Sequence, residues 1–528
     1  MINKLMNTEY DAIIIGTGIG GGTTGHALAK KGMKVLFIEK GLNNHNNQSS
    51  IKGNYAEVSF NNKFNNKNTL KNSGRYFDNL IENTSKIPFI GSGTGGSSAI
   101  YGMAMERFFP LDFEKRDSDI EDIKQSNLPD DGWPFKYNEL LPYYIKAETQ
   151  YGVKGIGDRL RGNEKFGYMP PPEITNCNKK IFNYLTSKNF SPYVLPRASN
   201  FNKDCIECQG FLCPKNCKID SYTACVKPAV ENYCAEIITD CNVEKIILKK
   251  DYATSVEVSF QNKRFQINGN IIVLAAGAIS TPYILLKSKT FEHPNGISNK
   301  SGYVGKNLMR HLIDIYLLKT EERIPKFGFL KEIAMNDLYN HPNGRLGTLQ
   351  SFGRLPDYSI IGDTLITKLS KKLHLPKSIF KITKQLLIPT LNYYFSRKIV
   401  MNSILEDLPY KVNRITIDSE TQLPRIEYNL FSYEKKLIES SRNEIKNIFK
   451  DLGVKLIKQA EDNKRLAHVC GTCRSGNDPK YSVVDKNCKS HEIKNLYISD
   501  SSVFPTSGGT NPGLTIAANA LRISDQIT

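Results

Sequence analysis

The chain predicts an α/β fold of two units, and three observations carry that expectation. An apolar run, Ala12–Ile15, leads directly into Gly16-x-Gly18-x-x-Gly21, the pattern of a buried parallel strand turning sharply into a helix. A second run, Lys34–Ile38, ends in Glu39. The third observation is length: 528 residues exceed what one hydrophobic core organises, so two domains are expected.

The first glycine makes the tight turn, the second lets the main chain approach a pyrophosphate, and the third lets helix and strand pack closely. A helix from about Gly21 to Lys31 then offers unpaired amides to phosphates. Glu39 is placed to accept from a ribose hydroxyl, which argues against a 2′-phosphate. Isolated glycines would mark only a turn; strand, glycines, helix, strand and acid in this order mark a dinucleotide site. From about Leu42 to Asn72 the chain is rich in Asn and Lys with little apolar periodicity, as in a surface loop. A second glycine-rich run, Gly93, Gly95, Gly96, Ser97 and Ser98, is followed at once by an apolar, aromatic-rich segment. That context does not suit a flexible linker. Near the C-terminus a short strand, LYIS, ends in Asp500, and Thr515 opens an expected final helix.

His468 begins HVCGTCRSG, and Asn511 stands in SGGTNPGLT. A neutral imidazole can take a hydroxyl proton while a nearby amide holds the same oxygen, a general base with a positioning group. This pairing suggests alcohol oxidation.

With both ends read, the chain resembles the glucose-methanol-choline (GMC) oxidoreductases, which use FAD to oxidise alcohols. The resemblance rests on Tyr10–Gly41, Gly91–Phe113, Val273–Ser288, Gly302–Leu312, Glu406–Ile415 and His468 to the end, in the family's order. Lys289 replaces the glycine usual after the second signature, and Ser475 a common methionine. The resemblance implies a Rossmann-like FAD-binding domain (1–150, 226–312 and 462–528) interleaved with a substrate domain (151–225 and 313–461) built on an antiparallel sheet with helices. It implies that His468 is the base, that Asn511 is its partner, and that hydride passes to flavin N5. Gly93, Gly95, Gly96, Ser97 and Ser98 would line the flavin and diphosphate, Asp500 would lie near the ribityl and phosphate groups, and the helix at Thr515 would stabilise negative charge at flavin N1. His311 would pack beside the cofactor, His491 reads as structural, and Glu406 is a further candidate for reaching the site. The competing reading is an inactive flavoprotein or membrane-surface binding protein on the same fold. Substrate and electron acceptor are not legible.

Net charge is +18, yet 71 basic residues are spread among 53 acids and no nucleic-acid-binding motif accompanies them, so no nucleic-acid partner is expected. Residues 365–400 differ, alternating basic and apolar residues at near-helical spacing with Pro376 and Pro389 as breaks. Such a segment suits either peripheral contact with an anionic membrane or lid helices with a solvated basic face. No run of eighteen apolar residues occurs and no export-type leader is visible, so a cytoplasmic protein, peripheral to a membrane if 365–400 binds one, is the expectation.

Of eleven cysteines, Cys205, Cys208, Cys213 and Cys217 fall within thirteen residues. Thiolates so grouped can hold an iron–sulfur cluster or zinc, form disulfides, or remain buried free thiols. The loop resembles that of a GMC branch of sugar dehydrogenases in which a three-iron cluster relays electrons from FAD. Cys470-x-x-Cys473 lacks the strand-to-helix context of a redox dithiol, and packing is expected there.

Overall fold

The computed structural model describes residues 2–43, 45, 87–88, 90–115, 132–202, 204–210, 212–213, 215–354, 389–461 and 465–527. The expected surface loop and most of the 365–400 segment lie outside these residues.

The strand Glu9–Ile15 has Tyr10, Ala12, Ile13 and Ile14 fully buried, because helices cover both faces of the sheet it enters. It pairs in parallel with Val35–Ile38 on one side and with the C-terminal half of Lys263–Leu274 on the other. Glu236–Ile238 and Leu496–Ile498 extend the parallel part. The N-terminal half of Lys263–Leu274 instead pairs antiparallel with Tyr252–Phe260, which pairs with Cys241–Lys249. One long strand therefore joins a nucleotide-type sheet to a meander.

Helix Ile19–Lys30 begins two residues earlier than its sequence suggests, with Gly18 as N-cap. It packs against the last helix, Gly513–Gln526, which also contacts helix Tyr137–Gln150. The close approach of helix Ile19–Lys30 to the sheet needs glycine: a Cβ at Gly25 would lie 2.3 Å from the ring of Phe37 in strand Val35–Ile38.

The second sheet is antiparallel throughout, ordered Lys455–Lys458, Leu312–Lys319, Lys398–Leu405, Thr348–Ser351, Ile333–Met335, Tyr193–Val194. This is the architecture the resemblance implies. Helix Ser432–Ile448 buries Leu437, Ile438, Ser441 and Ile445 in the core of this sheet, at helical spacing. Its Arg442 grips Asp314 through two bonds of 2.7 and 2.9 Å. Among the described residues no helix is long and apolar enough to cross a membrane.

The two sheets meet at the C-terminal segment. Thr348 N–H donates to Gly509 O (2.9 Å), and Gly347, at φ +64°, has room for no Cβ because Ile404 O would lie 1.9 Å from it. The carboxyl ends of the parallel strands and the starting end of the interior strand Thr348–Ser351 thereby flank one region.

Candidate active site

The carboxyl ends of the parallel strands converge, as cofactor sites in such sheets require. Gly16 turns at φ +100° against Ala275 O, and a Cβ on Gly21 would meet Gly16 O at 2.1 Å. Gly18 differs from these neighbours: a Cβ there would meet nothing within 4 Å. That open space lies over the amides of helix Ile19–Lys30, where a pyrophosphate would sit, so the residues present fit FAD.

Glu39 is buried and holds the wall of this cradle together. Its Oε2 accepts from Thr17 N–H (3.1 Å) and Thr17 Oγ1 (2.7 Å), and its Oε1 from the amides of Gly41 (2.9 Å) and Gly93 (3.2 Å). The glycine-rich loop closes over the fingerprint, for a Cβ at Gly96 would lie 2.9 Å from Gly18 Cα. Within the loop Gly93 (φ 137°) and Gly95 (φ 89°) take left-handed conformations. Ser98 Oγ donates to Gly95 O (2.6 Å) and Ser97 Oγ accepts from Gly91 N–H (3.1 Å). Asp500 is buried, accepting from Gly277 N–H (2.8 Å), Thr281 Oγ1 (2.6 Å) and Ser502 N–H (2.8 Å); burial nonetheless pushes its carboxyl upward. The last helix starts at Gly513, two residues before Thr515, and the Thr515 hydroxyl is bonded to Tyr144 (2.8 Å). Amides earlier than Thr515 therefore form the helix's open end.

His468 is a non-glycine residue at φ +57°, a conformation that costs on the order of 1 kcal/mol or more and is retained where the surroundings demand it. Its Nδ1 lies 2.9 Å from Nδ1 of His311, whose Nε2 faces Ser507 O (2.9 Å) and Gly508 O (3.0 Å). Burial pushes His311 down to about 4 and His468 well below the usual imidazole range, His311 and Lys331 adding to the latter. Both rings are neutral near pH 7, and this fixes the tautomers. Carbonyls only accept, so His311 carries its proton on Nε2; its bare Nδ1 must then accept, and His468 must donate from Nδ1. The lone pair of His468 is left on Nε2.

Asn511 is oriented by the same logic. Its Oδ1 accepts from Gln350 Nε2 at 2.9 Å, so the amide N–H group is not spent on that contact. His311 and Gln350, which set these two groups, are far from them in sequence, and no local spacing signals Gln350. Glu406 is buried next to the antiparallel sheet, 3.8 Å from Arg345, and its charge is felt by His311. His491 bonds Ser482 (2.8 Å), in keeping with a structural part.

Every cysteine is free. Cys213 is partly exposed while Cys205, Cys208 and Cys217 are buried. A hydrogen bond from the Cys208 thiol, helped by main-chain amides, pulls Cys213 down to about 5, whereas Cys217 is pushed up to about 12 by burial. Among the described residues no three His, Cys, Asp or Glu side chains are grouped to hold a metal ion. Cys470 and Cys473 lie in the main core, and burial raises both thiols, as packing residues require.

A dinucleotide cradle beside a neutral imidazole and an oriented amide defines an FAD-dependent oxidoreductase acting on CH–OH groups. The chain belongs to the GMC oxidoreductase family, whose models match residues 10–313 and 409–520. It is similar to 2-methyl-1,2-propanediol dehydrogenase of Mycolicibacterium austroafricanum, 24% identical over 549 residues covering 98% of this chain and 95% of that protein. The fructose dehydrogenase large subunit of Gluconobacter japonicus is 24% identical, over 98% of this chain and 97% of that one. Among solved structures, pyridoxine 4-oxidase from Mesorbium loti superposes with a TM-score of 0.64 at 17% identity, covering 98% of this chain and 99% of its own.

Proposed function

We propose that His468 takes the hydroxyl proton of a small-molecule alcohol through Nε2 while Asn511 holds the same oxygen through its side-chain N–H group. The observation that carries this is the hydrogen-bond chain from Ser507 O and Gly508 O through His311 to His468 Nδ1, which leaves Nε2 basic. FAD, held by Gly16, Gly18, Gly21, Glu39, the Gly93–Ser98 loop and the amides opening the last helix, supplies the hydride acceptor. As the proton leaves, positive charge develops on an imidazole whose Nδ1–H already has a partner, so no ring reorientation is needed. The FAD-binding portion is assigned to 1–150, 226–312 and 462–528, and the substrate portion to 151–225 and 313–461. Eleven free thiols support a reducing, cytoplasmic setting. The cysteine loop is assigned no metal, and the relatives' names include both dehydrogenases and oxidases, so the electron acceptor is left unassigned.

The test is anaerobic mixing of purified holoprotein with an alcohol panel. Wild type should bleach its flavin with at least one alcohol, and His468→Ala should retain FAD but bleach about a hundred- to ten-thousand-fold more slowly. Equal rates would overturn the assignment of the base.

A further inference from the structure

Lys331 is 6% exposed, and its ammonium group makes no ion pair or hydrogen bond with any described residue. A buried cation without a partner is costly, so its neighbours decide what it is for. Glu207 and Glu106 are the carboxylates whose charge reaches it, and both are engaged elsewhere. Glu207 Oε1 accepts from the amides of Leu330 and Lys331 (both 2.6 Å) and Oε2 from that of Arg354 (2.8 Å). Glu106 accepts from the Tyr193 hydroxyl and from Thr510 Oγ1 (2.7 Å). These bonds hold the Lys331 main chain in place, and none of them reaches its ammonium.

The side chain points toward the site already described. Its Nζ lies 3.1 Å from where a Cβ on Gly102 would stand, and Gln209 Oε1 lies 3.0 Å from the same point. Gly102 comes four residues after Ser98 of the flavin loop, and the Lys331 charge reaches His468. A second cation, Arg197, is sandwiched between the rings of Phe201 and Phe329 at 4.7 and 4.6 Å. Its Nε and Nη1 are enclosed without partners among the described residues, and its charge is felt by Lys331. The Lys331 ammonium, unlike these two nitrogens, is not fully enclosed.

We infer that the substrate of this site is an alcohol bearing an anionic group, a carboxylate or a phosphate monoester, which pairs with Lys331 beside Gln209 while the reacting carbon faces His468. This rests on the assignment of His468 as the base. A neutral alcohol would leave the ammonium uncompensated; an anion supplies the missing charge-assisted bond.

Binding to oxidised holoprotein, read from the change in flavin absorbance, compares D-gluconate with D-glucose and glycerol 3-phosphate with glycerol. At least one anion should bind about ten- to a hundred-fold more tightly than its neutral partner, the scale of a hydrogen bond to a charged group. Lys331→Met should abolish that preference and Lys331→Arg should keep it, FAD content serving as the check on folding. If neither anion is preferred in wild type, or if Lys331→Met retains the preference, the inference is wrong. Bleaching is read separately from binding. An anion that binds through Lys331 without bleaching the flavin supports the Lys331 contact but overturns its reading as substrate, whereas bleaching by neutral alcohols with no Lys331-dependent preference upholds alcohol oxidation and overturns this inference.

Discussion

His311→Phe removes the acceptor for His468 Nδ1–H while filling the space of a ring that is 1% exposed. In the native site that proton is held at 2.9 Å from His311 Nδ1, and the tautomer with a basic Nε2 is the one that can work. Without the acceptor, the active tautomer leaves a buried N–H unpaired, a penalty of about 1–3 kcal/mol that corresponds to roughly 5- to 150-fold in rate. Anaerobic stopped-flow reduction should slow by that factor with FAD still bound. A second signature separates this from general damage. The charge of His311 helps hold His468 below its usual range, so the acid limb of the variant's rate profile should move to higher pH. His311→Gln, whose amide can both donate to the carbonyls and accept from His468, should recover part of the rate. A His311→Phe enzyme with the wild-type rate and profile would refute the tautomer assignment, as would an NMR spectrum showing His468 protonated on Nε2 in wild type.

Gly18→Val should give folded but colourless protein, since a side chain there projects into the open space over the helix amides; full flavin occupancy in the purified variant would mean the cradle is misplaced. Wild-type flavin reduction should stay level from pH 8 down past 6.5 and fall only in more acid solution. His468 lies well below its usual range, and only protonation of the base stops it. Stability should show the corresponding sign. His311, held near 4, remains neutral in the folded state while an unfolded histidine protonates below about 6.5, so its contribution is intact above that pH. By pH 5 it should cost about 2 kcal/mol relative to His311→Phe, measurable as a narrowing gap between their denaturant midpoints. Cys213, pulled down to about 5 and partly exposed, should be alkylated by iodoacetamide at pH 7 before the buried thiols, with the exposed Cys234 as the competing site; preferential labelling of Cys470 or Cys473 would contradict their burial.

The parts legible in the sequence are those written in short spacing. Gly16, Gly18 and Gly21 follow an apolar run because a parallel strand must turn into a helix within a few residues; Gly16 and Gly21 have local steric reasons, and Gly18 leaves open space over the helix amides. Helix starts were less legible. The helix expected from about Gly21 begins at Ile19, and glycines 20 to 22 lie in its first turns, where packing against Ser499, Gly16 and Ser221 leaves room for nothing larger. Thr515 looks like a helix start, but Pro512 caps the helix and its first turn begins at Gly513. Contacts across the chain could not be read at all. The spacing between His311 and His468 carries no periodic signal, nor does that between Gln350 and Asn511. Lys331 is one lysine among many until the fold buries it with no bond to its ammonium from any described residue.

The segment Ser507–Asn511 links these long-range features physically. Its two carbonyls at 507 and 508 fix the His311 proton and, through it, the basic nitrogen of His468. One residue on, the Gly509 amide donates to Tyr339 Oη (2.7 Å), whose hydroxyl in turn donates to Asp112 (2.6 Å), and Gly509 O accepts from Thr348 of the antiparallel sheet. Asn511 then meets Gln350 from that same sheet. A shift of the antiparallel sheet relative to the nucleotide-type sheet would therefore move the Asn511 amide and the carbonyls behind His311 and the proposed base His468 together. Catalytic geometry is tied to the docking of the two sheets, so a substitution that loosens this contact without touching substrate, such as Tyr339→Phe, should lower kcat more than it raises KM.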